Sequence, residues 1–469
     1  MHLERQIQLF FRRSRTFLYQ RVSSVQIIVI YYLLMVLLAL GLFYLPYFRQ
    51  PGSSVAFIDM LFMSVSTISV TGLTTFPINE VFNRNGAILL ASLFQIGGLG
   101  IMMISTFFFI LSNKRISLKQ RQLIMTDTNQ QHLSGIVSMI RSTFLILIGF
   151  QFFGGLLFGL HFKLNGYYEH WSDAFFNGFY QAISAVTNSG FDVTGHSILP
   201  YARDYFFLFW IMFFIFIGGI GFPVIMDVRS WLKSYFKKKK VHQLPYRFSL
   251  FTKISLLTFT VLFIGGTLLI FALEKNHLFN GISFSEQWVT SMFYSITTRN
   301  AGLQIHDISE FQTTTLFIFA LLMFIGCSPS SVGGGIRTTT VAVITLYLIS
   351  FLKRESRVNV FGRQIDEEDV QKAIAVFMLS LMMCFGSVIF LTAIEDFSLI
   401  AIIVEVASAF GTTGMSLGIT AELSFTGKIV ICSLMFIGRI GMLYTLLLFV
   451  PKQTRDLGYE YPKEKIITG

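Results

Sequence analysis

The sequence predicts an all-α membrane protein built from four tandem units, each with a transmembrane span, a short re-entrant helix and a second span. Hydrophobic residues make up 53% of the chain and charged residues only 13%, whereas roughly a quarter of the residues in a soluble domain are charged. Several apolar stretches exceed about 18 residues, enough to cross a hydrocarbon core of about 30 Å. A short motif also recurs four times, and internal repetition dictates architecture. We therefore expect eight full transmembrane helices and four re-entrant helices in a pseudo-fourfold arrangement around one axis.

The recurring motif is a run of small and hydroxyl-bearing residues that ends in glycine and one apolar residue. Its glycines are Gly72, Gly190, Gly302 and Gly414, which lie about 112 to 118 residues apart. We call the four copies turns one to four; they comprise residues 66–73, 184–191, 296–303 and 408–415.

A second signature recurs in the return span of each unit, meaning the span that follows the turn. It is an Ile-Gly pair in mid-membrane, where a small residue lets helices approach closely. The pairs are Ile96 with Gly97, Ile217 with Gly218, Ile325 with Gly326 and Ile437 with Gly438.

The four units occupy residues 25–112, 133–228, 249–351 and 370–450, between a basic arm at 1–24 and a tail at 451–469. In unit one, a span at 25–47 precedes an apolar run at 55–67, which would measure only about 20 Å as a helix and cannot cross. Residues 51–54 offer that run a helix N-cap, and the return span is expected at 86–111.

The other three units repeat this order of elements. Their short helices are expected to be capped by Ser172 and Asp173 in unit two, to follow residues 283–286 in unit three, and to be capped near Asp396 and Ser398 in unit four. Their remaining full spans are predicted at 136–161, 205–227, 249–273, 370–394 and 427–450.

Lysine and arginine are concentrated in segments that would share one side of the membrane. The net charge is +11, and 25 of the 36 basic residues lie in five such segments. By the positive-inside rule both termini are cytoplasmic, so the charge excess requires no nucleic-acid partner, although the lysines at 237–240 could contact anionic lipid. The five segments are 1–24, 113–132, 229–248, 351–372 and 451–469.

The sequence lacks the signatures of a metal cluster, a disulfide framework or an enzyme. Cys327, Cys384 and Cys432 are scattered within apolar segments, and the eight histidines are dispersed. No nucleophile elbow, zinc pair or phosphate loop brings Ser, His and Asp together. We predict no enzymatic activity and no cofactor bound by this chain.

The return segment of unit three, residues 313–351, is too long for one span. As a continuous helix it would measure close to 60 Å, about twice the hydrocarbon core. Proline and three glycines interrupt it at residues 327–337, CSPSSVGGGIR, because proline removes a helix hydrogen bond and glycine disfavours helix. The break is either a structural kink or a functional loop.

The four turns have the chemistry expected for a monovalent cation. Irregular backbone at membrane depth has to be buried or line an aqueous cavity, and each short helix would direct a C-terminal end, equivalent to about −0.5 charge, at the centre. The turns contain no carboxylate, so backbone carbonyl groups would be the main ligands, which favours a dehydrated ion such as K+. Glycine permits the positive φ that points successive carbonyl groups inward. The predicted ligand residues are Ile68, Ser69, Val70, Thr71, Gly72, Val186, Thr187, Asn188, Ser189, Gly190, Thr298, Arg299, Asn300, Ala301, Gly302, Phe410, Gly411, Thr412, Thr413 and Gly414.

These features resemble the Trk/Ktr/HKT superfamily of potassium transporters over essentially the whole chain from residue 25. The sequence most resembles the bacterial Ktr-type membrane subunit, because no extra pair of spans precedes unit one. The resemblance implies a pseudo-tetrameric cation pore in a bacterial plasma membrane, with K+ at the filter as the only bound metal. It also implies a homodimer and a cytoplasmic ring of nucleotide-binding regulatory subunits. Gly72 argues for K+, since serine at this position accompanies Na+ preference in the plant branch.

In the family that the chain resembles, the break in unit three is an intramembrane loop that obstructs the pore and acts as a gate. Arg439, in mid-membrane, is either a latch bonded to loop carbonyl groups or a positive charge that sets a barrier to permeation, and the resemblance supports both roles. Arg299 in turn three is expected to point away from the axis, towards Glu405 or Glu286. The predicted gate residues are Ser330, Ser331, Gly333, Gly334, Gly335 and Arg439.

Two other functions stay open at this point. One is a sodium-coupled solute symporter with broken helices, a class whose folds usually contain two inverted repeats. The other is a Na+-conducting member of the same superfamily. The residues do not decide whether transport is coupled to Na+, coupled to H+ or passive.

Overall fold

The computed structural model describes residues 24–100, 125, 136–236, 247–442 and 444–445. The predicted arm at 1–24, except for its last residue, and the predicted tail at 451–469 lie outside this range. The helices are α1 (Ser24–Phe43), α2 (Phe57–Ser69), α3 (Ile78–Val81), α4 (Arg84–Leu99), α5 (Ile136–Leu164), α6 (Trp171–Thr187), α7 (Tyr205–Gly219), α8 (Phe222–Phe236), α9 (Leu250–Glu274), α10 (Phe284–Thr297), α11 (Thr313–Phe324), α12 (Thr338–Leu352), α13 (Glu367–Ile394), α14 (Leu399–Gly411) and α15 (Phe425–Ile440). An antiparallel hairpin of β1 (Asn359–Val360) and β2 (Arg363–Gln364) joins α12 to α13, with Asn359 opposite Gln364.

Four helices in the described part of the chain are long and apolar enough to cross a membrane: α1, α5, α9 and α13. They coincide with the predicted first span of each unit. The pair α7 and α8 could form a fifth span, although the two helices are bent by 104° at their junction. The fold is therefore that of a mostly helical, multi-pass membrane protein.

Every return segment is interrupted close to its Ile-Gly pair, whereas the sequence predicted an interruption only in unit three. The span predicted at 205–227 is divided into two helices, because the chain turns between α7 and α8 at Gly221, where φ is +97°. Helix α4 likewise ends before Gly100 (φ +86°) and α15 before Gly441 (φ +99°), within the predicted spans at 86–111 and 427–450, whose last residues lie outside the described ranges. A positive φ interrupts a right-handed helix, and glycine accepts it without steric cost.

Two of the predicted helix N-caps are also wrong. Helix α2 begins after Ala56 rather than at 51–54, and α6 begins after His170, in both cases without a side-chain cap. Ser172 instead accepts a hydrogen bond from Arg84, whose guanidinium also contacts Asp173 at 3.3 Å.

The predicted cap in unit four is correct at Ser398, whereas in unit three, for which no cap was predicted, the short helix begins at Phe284 and is capped by Ser283. Ser283 accepts from the Glu286 amide and Ser398 from the Ala401 amide. Each hydroxyl satisfies one of the amide groups that a helix N-terminus leaves without a partner.

The units pack around a common centre in chain order. Within each unit the first span contacts the short helix, as α1 does α2. Each return helix then contacts the short helix of the next unit: α4 packs on α6, α7 on α10, α11 on α14, and α15 on α2. The last contact joins the end of the chain to its beginning and closes the ring.

Candidate functional site

The four turn glycines face one another at the centre of this ring. Their φ values are all positive, at +92°, +69°, +63° and +96° in chain order. Each lies against a carbonyl oxygen of another turn, so close that a Cβ would collide with it. The contacts join Gly72 to the carbonyl of Ser189, Gly190 to Ala301, Gly302 to Thr413 and Gly414 to Thr71. Four backbone carbonyl groups thus meet in one place, and a side chain at any of these glycines would displace one of them.

The twenty residues predicted as ligands all lie in these turns and are almost completely buried. Only Gly72, Gly190 and Gly414 keep partial exposure. Because glycine has no side chain, what these positions present is backbone. The structure therefore places the hydroxyl, amide and apolar side chains of the turns inside the protein.

Turns one, two and four share one backbone pattern. In each, the amide of the residue before the glycine donates to a serine carbonyl near the end of the short helix, at 2.9 Å. The residue two before the glycine is left-handed, which ends the helix. The left-handed residues are Val70 (φ +60°), Asn188 (φ +51°) and Thr412 (φ +51°), and the hydrogen bonds run from Thr71 to Ser66, from Ser189 to Ser184 and from Thr413 to Ser408.

Turn three is built differently. Helix α10 ends at Thr297, and the carbonyl of that residue accepts from the amides of Ala301 (2.9 Å) and Gly302 (3.1 Å). Asn300, which corresponds in position to Val70 of turn one, is not left-handed. Turn three therefore departs from the geometry that the other three turns share.

The Ile-Gly glycines let the return helices approach the turns, as the sequence predicted. In units one, two and four, a Cβ on this glycine would collide with the carbonyl oxygen of the residue four before the turn glycine. The pairs are Gly97 with Ile68, Gly218 with Val186 and Gly438 with Phe410. In unit three the equivalent Gly326 instead lies against the carbonyl of Gly334, in the interrupted segment.

Arg299 points behind turn three, but its predicted partners are wrong. Its guanidinium stacks on the ring of Phe259, 3.8 Å from the centroid, and donates to the carbonyl groups of Phe259 (3.2 Å) and Gly326 (3.3 Å). Glu286 pairs with Arg203 instead. Only 1% of Arg299 is exposed, so two carbonyl groups and an aromatic face replace a carboxylate as its environment.

Two polar contacts outside the predicted site hold turns two and four from behind. Gln181 donates to the carboxylate of Asp192 at 3.0 Å. The fully buried Glu405 accepts from the hydroxyl groups of Ser416 and Thr420, both at 2.6 Å. Gln181 and Glu405 occupy the same motif position, nine residues before the turn glycine. A polar residue at this position in an otherwise apolar helix is the sequence feature that could have indicated these contacts.

The interrupted segment of unit three, residues 325–337, forms a loop that lies against the turns and the neighbouring return helices. Its two ends meet, since the Ile336 amide donates to the Phe324 carbonyl at 3.2 Å. The predicted gate residues 330–335 are buried in this loop, with Ser330 and Ser331 each 8% exposed. Backbone hydrogen bonds to units two and four fix it: Ser328 to Gly219, Val332 to Gly218, Phe222 to Ser330 and Gly335 to Gly438.

Arg439 holds the loop from unit four. Its guanidinium donates to the carbonyl of Val332 in the loop and to the carbonyl groups of Gly97 and Gly98 in unit one. It is 7% exposed. These contacts correspond to the latch that the sequence left as one of two alternatives.

A cavity of about 1090 Å³ opens beside the loop on the side of the β1–β2 hairpin. Its lining includes the basic side chains of Arg337 and Arg439, the acidic side chains of Asp366 and Glu368, and Ser330 of the loop. Within the described ranges, no group of three or more His, Cys, Asp or Glu side chains could hold a metal ion.

Apolar helices around a ring of backbone carbonyl groups are typical of a membrane protein that transports cations. The chain matches the TrkH family, described as "Cation transport protein", over residues 45–456. It is 45% identical over 452 residues to the Ktr system potassium uptake protein D of Bacillus subtilis (strain 168), covering 96% of this chain and 98% of that protein. It is 32% identical over 457 residues to the potassium/sodium uptake protein NtpJ of Enterococcus hirae, with coverage of 96% and 98%.

The fold has a solved counterpart. The crystal structure of the potassium transporter TrkH from Vibrio parahaemolyticus superimposes with a TM-score of 0.73 at 17% identity, over 92% of this chain and 86% of that one. The chain belongs to the TrkH family of cation transport proteins.

Proposed function

We propose that this protein takes up K+ through a central pore in which the four turns form the selectivity filter. The observation that carries the proposal is the ring of carbonyl groups of Thr71, Ser189, Ala301 and Thr413, each packed against the glycine of another turn. Carbonyl oxygens can replace the hydration shell of K+, and four helix C-terminal ends near the ring each add about −0.5 charge. The name of the Bacillus relative, a potassium uptake protein, supports the same ion.

In this proposal each unit contributes two spans and one pore helix, which gives eight spans and four pore helices with both termini in the cytoplasm. The domain boundaries are those predicted from the sequence. The contacts between each return helix and the next short helix, including α15 on α2, support the arrangement.

The loop at 325–337 acts as the gate. It is buried against three units and lacks bulky side chains in its Gly333–Gly335 portion, so its displacement would open space without moving a helix. Arg439 acts as its latch, because its guanidinium joins Val332 of the loop to Gly97 and Gly98 of unit one.

The assembly is a homodimer that associates with a cytoplasmic ring of nucleotide-binding regulatory subunits. Two kinds of support exist: relatives are named as members of a Ktr system, and the basic residues cluster in segments that are predicted to share one side of the membrane. The chain itself carries no cofactor, and K+ is its only ligand ion. The mass of the purified protein by light scattering tests the dimer.

A Na+-conducting or Na+-dependent protein is the second candidate. The name of the Enterococcus relative, a potassium/sodium uptake protein, favours it over a solute symporter. A symporter of the broken-helix class would contain inverted repeats, whereas the four units here follow one order.

Uptake of ⁸⁶Rb+ into proteoliposomes with the purified protein tests the proposal. We expect uptake that external K+ inhibits and Na+ inhibits much less, with protein-free vesicles as the control. Equal inhibition by Na+ would favour the second candidate. Absence of cation flux from correctly inserted, monodisperse protein would refute both.

A further inference from the structure

The amide of Gly334, near the tip of the loop, is hydrogen-bonded to side chains of two filter turns. It donates to the hydroxyl of Thr412 at 2.9 Å and to the side-chain carbonyl of Asn300 at 3.2 Å. The Thr412 hydroxyl in turn donates to Asn300 at 3.4 Å. Both side chains are fully buried, so the loop is attached to the filter itself as well as to the return helices.

The loop glycines are required for this approach. A Cβ on Gly333 would lie 2.5 Å from the side-chain amide of Asn300, and one on Gly334 would lie 2.5 Å from the Thr412 hydroxyl. The glycines at the tip therefore do more than add flexibility. They allow the loop backbone to reach two particular side chains.

Asn300 and Thr412 occupy the same motif position, two residues before the turn glycine, and the other two turns do not use it in this way. Val70 of turn one is apolar and packs beside Gly97. Asn188 of turn two lies beside Gly219 and 3.9 Å from the Cys327 sulfur, at the base of the loop rather than its tip. Only turns three and four hold Gly334.

We infer that the side chains of Asn300 and Thr412 are gate-positioning groups, whose hydrogen bonds to Gly334 hold the loop in its obstructing position. This inference rests on the proposed function and adds to it. Displacing the loop leaves two buried acceptors without their donor, which carries a free-energy cost. The closed state is therefore stabilised by the filter.

The test uses Thr412→Val, which keeps the shape of the side chain and removes the hydroxyl. Loss of one hydrogen bond shifts an equilibrium by about two- to tenfold, so we expect ⁸⁶Rb+ flux to rise by that factor with an unchanged Rb+/Na+ preference. The matched control is Thr143→Val in α5, a fully buried threonine whose hydroxyl has no hydrogen-bond partner among the described residues. It should leave flux unaltered.

The same substitution is then made in a protein that lacks residues 330–335. Deletion alone should raise flux, and Thr412→Val should add nothing, because the donor that it releases is absent. A rise of similar size in both backgrounds would show that Thr412 acts on the ion directly and would overturn the inference. Unchanged flux in the full-length variant would overturn it as well.

Hydrogen exchange of the loop amides separates failure of the inference from failure of the proposed function. In nanodiscs, Thr412→Val should speed exchange of a peptide that contains Gly334, and Thr143→Val should not. If neither the native nor the loop-deleted protein carries cations, the proposed function fails, while faster exchange still supports the contact. Unchanged exchange overturns the contact whatever the flux.

Discussion

The ion pair of Lys428 and Asp59 joins unit four to unit one. Its loss should destabilise the fold more than loss of the more exposed ion pair that joins units one and two. The Nζ of Lys428 lies 2.7 Å from Oδ1 of Asp59, and their side chains are 9% and 20% exposed. Replacing Lys428 by methionine removes the ammonium group, keeps an unbranched side chain only one atom shorter, and leaves Asp59 as an uncompensated, largely buried charge. Removing one partner of a buried pair costs about 3–5 kcal/mol. We expect about 3 kcal/mol, since a fifth of the Asp59 side chain is still solvated.

The chain supplies its own controls, because two further pairs occupy equivalent places. Arg84 pairs with Asp173 between units one and two, and Arg203 with Glu286 between units two and three, both at 3.3 Å. In each case the carboxylate lies in the first turn of a short helix, where the helix dipole also favours it. Arg84 and Asp173 are about half exposed, so Arg84→Met should cost only ~0–1 kcal/mol.

The assay is guanidinium-induced unfolding in detergent, followed by the fluorescence of the four tryptophans. The apparent free energy of unfolding should fall in the order native, Arg84→Met, Lys428→Met. Adding Asp59→Asn to Lys428→Met should recover part of the loss, because the unpaired charge is then removed. Equal effects of the two single substitutions, or no recovery in the double variant, would refute the idea that burial of the Lys428–Asp59 pair makes its loss the more costly one.

Two further predictions concern the turns. Gly72→Ser should weaken the preference for Rb+ over Na+ by about five- to thirtyfold in a competition assay, because a left-handed L-residue costs ~1–2 kcal/mol and the new Cβ displaces the Ser189 carbonyl. An unaltered preference would show that Gly72 does not determine the selectivity. Arg299→Lys should lower the apparent free energy of unfolding by about 1–3 kcal/mol, because a single ammonium cannot bond both carbonyl groups and stack on Phe259. An unfolding free energy equal to that of the native protein would show that the guanidinium geometry is not needed.

Much of the architecture was predictable because two sequence motifs recur at nearly constant spacing along the chain. The four turn glycines and the four Ile-Gly pairs located the turns and the close helix contacts, and chain length alone required a break in unit three. The break at Gly221 was missed because hydropathy continues through it, although Pro223 two residues later was a visible signal. Hydropathy averages over side chains, while a helix is interrupted by the backbone of one residue.

The partners of the buried arginines were less accessible to sequence reasoning. A buried guanidinium suggests a carboxylate, and the sequence predicted one for Arg299, yet Arg299 bonds only to backbone carbonyl groups among the described contacts; for Arg439 the loop was an expected partner, but Gly97 and Gly98 were not. Every residue carries a carbonyl, so a sequence cannot indicate which one is free. The carbonyl groups of Gly97, Gly98, Gly326 and Val332 are available because they lie at a helix end or in the loop, whereas that of Phe259 lies within α9 and is reached because Arg299 packs on the Phe259 ring, and both are tertiary properties.

The departures of unit three have a common physical origin. In the other units the Ile-Gly glycine rests on a turn carbonyl, whereas Gly326 rests on Gly334 of the loop, and Arg299 donates to the Gly326 carbonyl. Helix α11 ends at Phe324, before this glycine, so the loop takes the place of the return helix behind turn three. Turn three is joined to the loop at two places: Arg299 donates to the carbonyl of Gly326 at the start of the loop, and Asn300 accepts from the amide of Gly334 near its tip. Movement of the loop would therefore break the hydrogen bonds that Arg299 and Asn300 of turn three make with it. Turn three differs from the other turns in its backbone hydrogen bonds because it packs against this loop instead of a return helix.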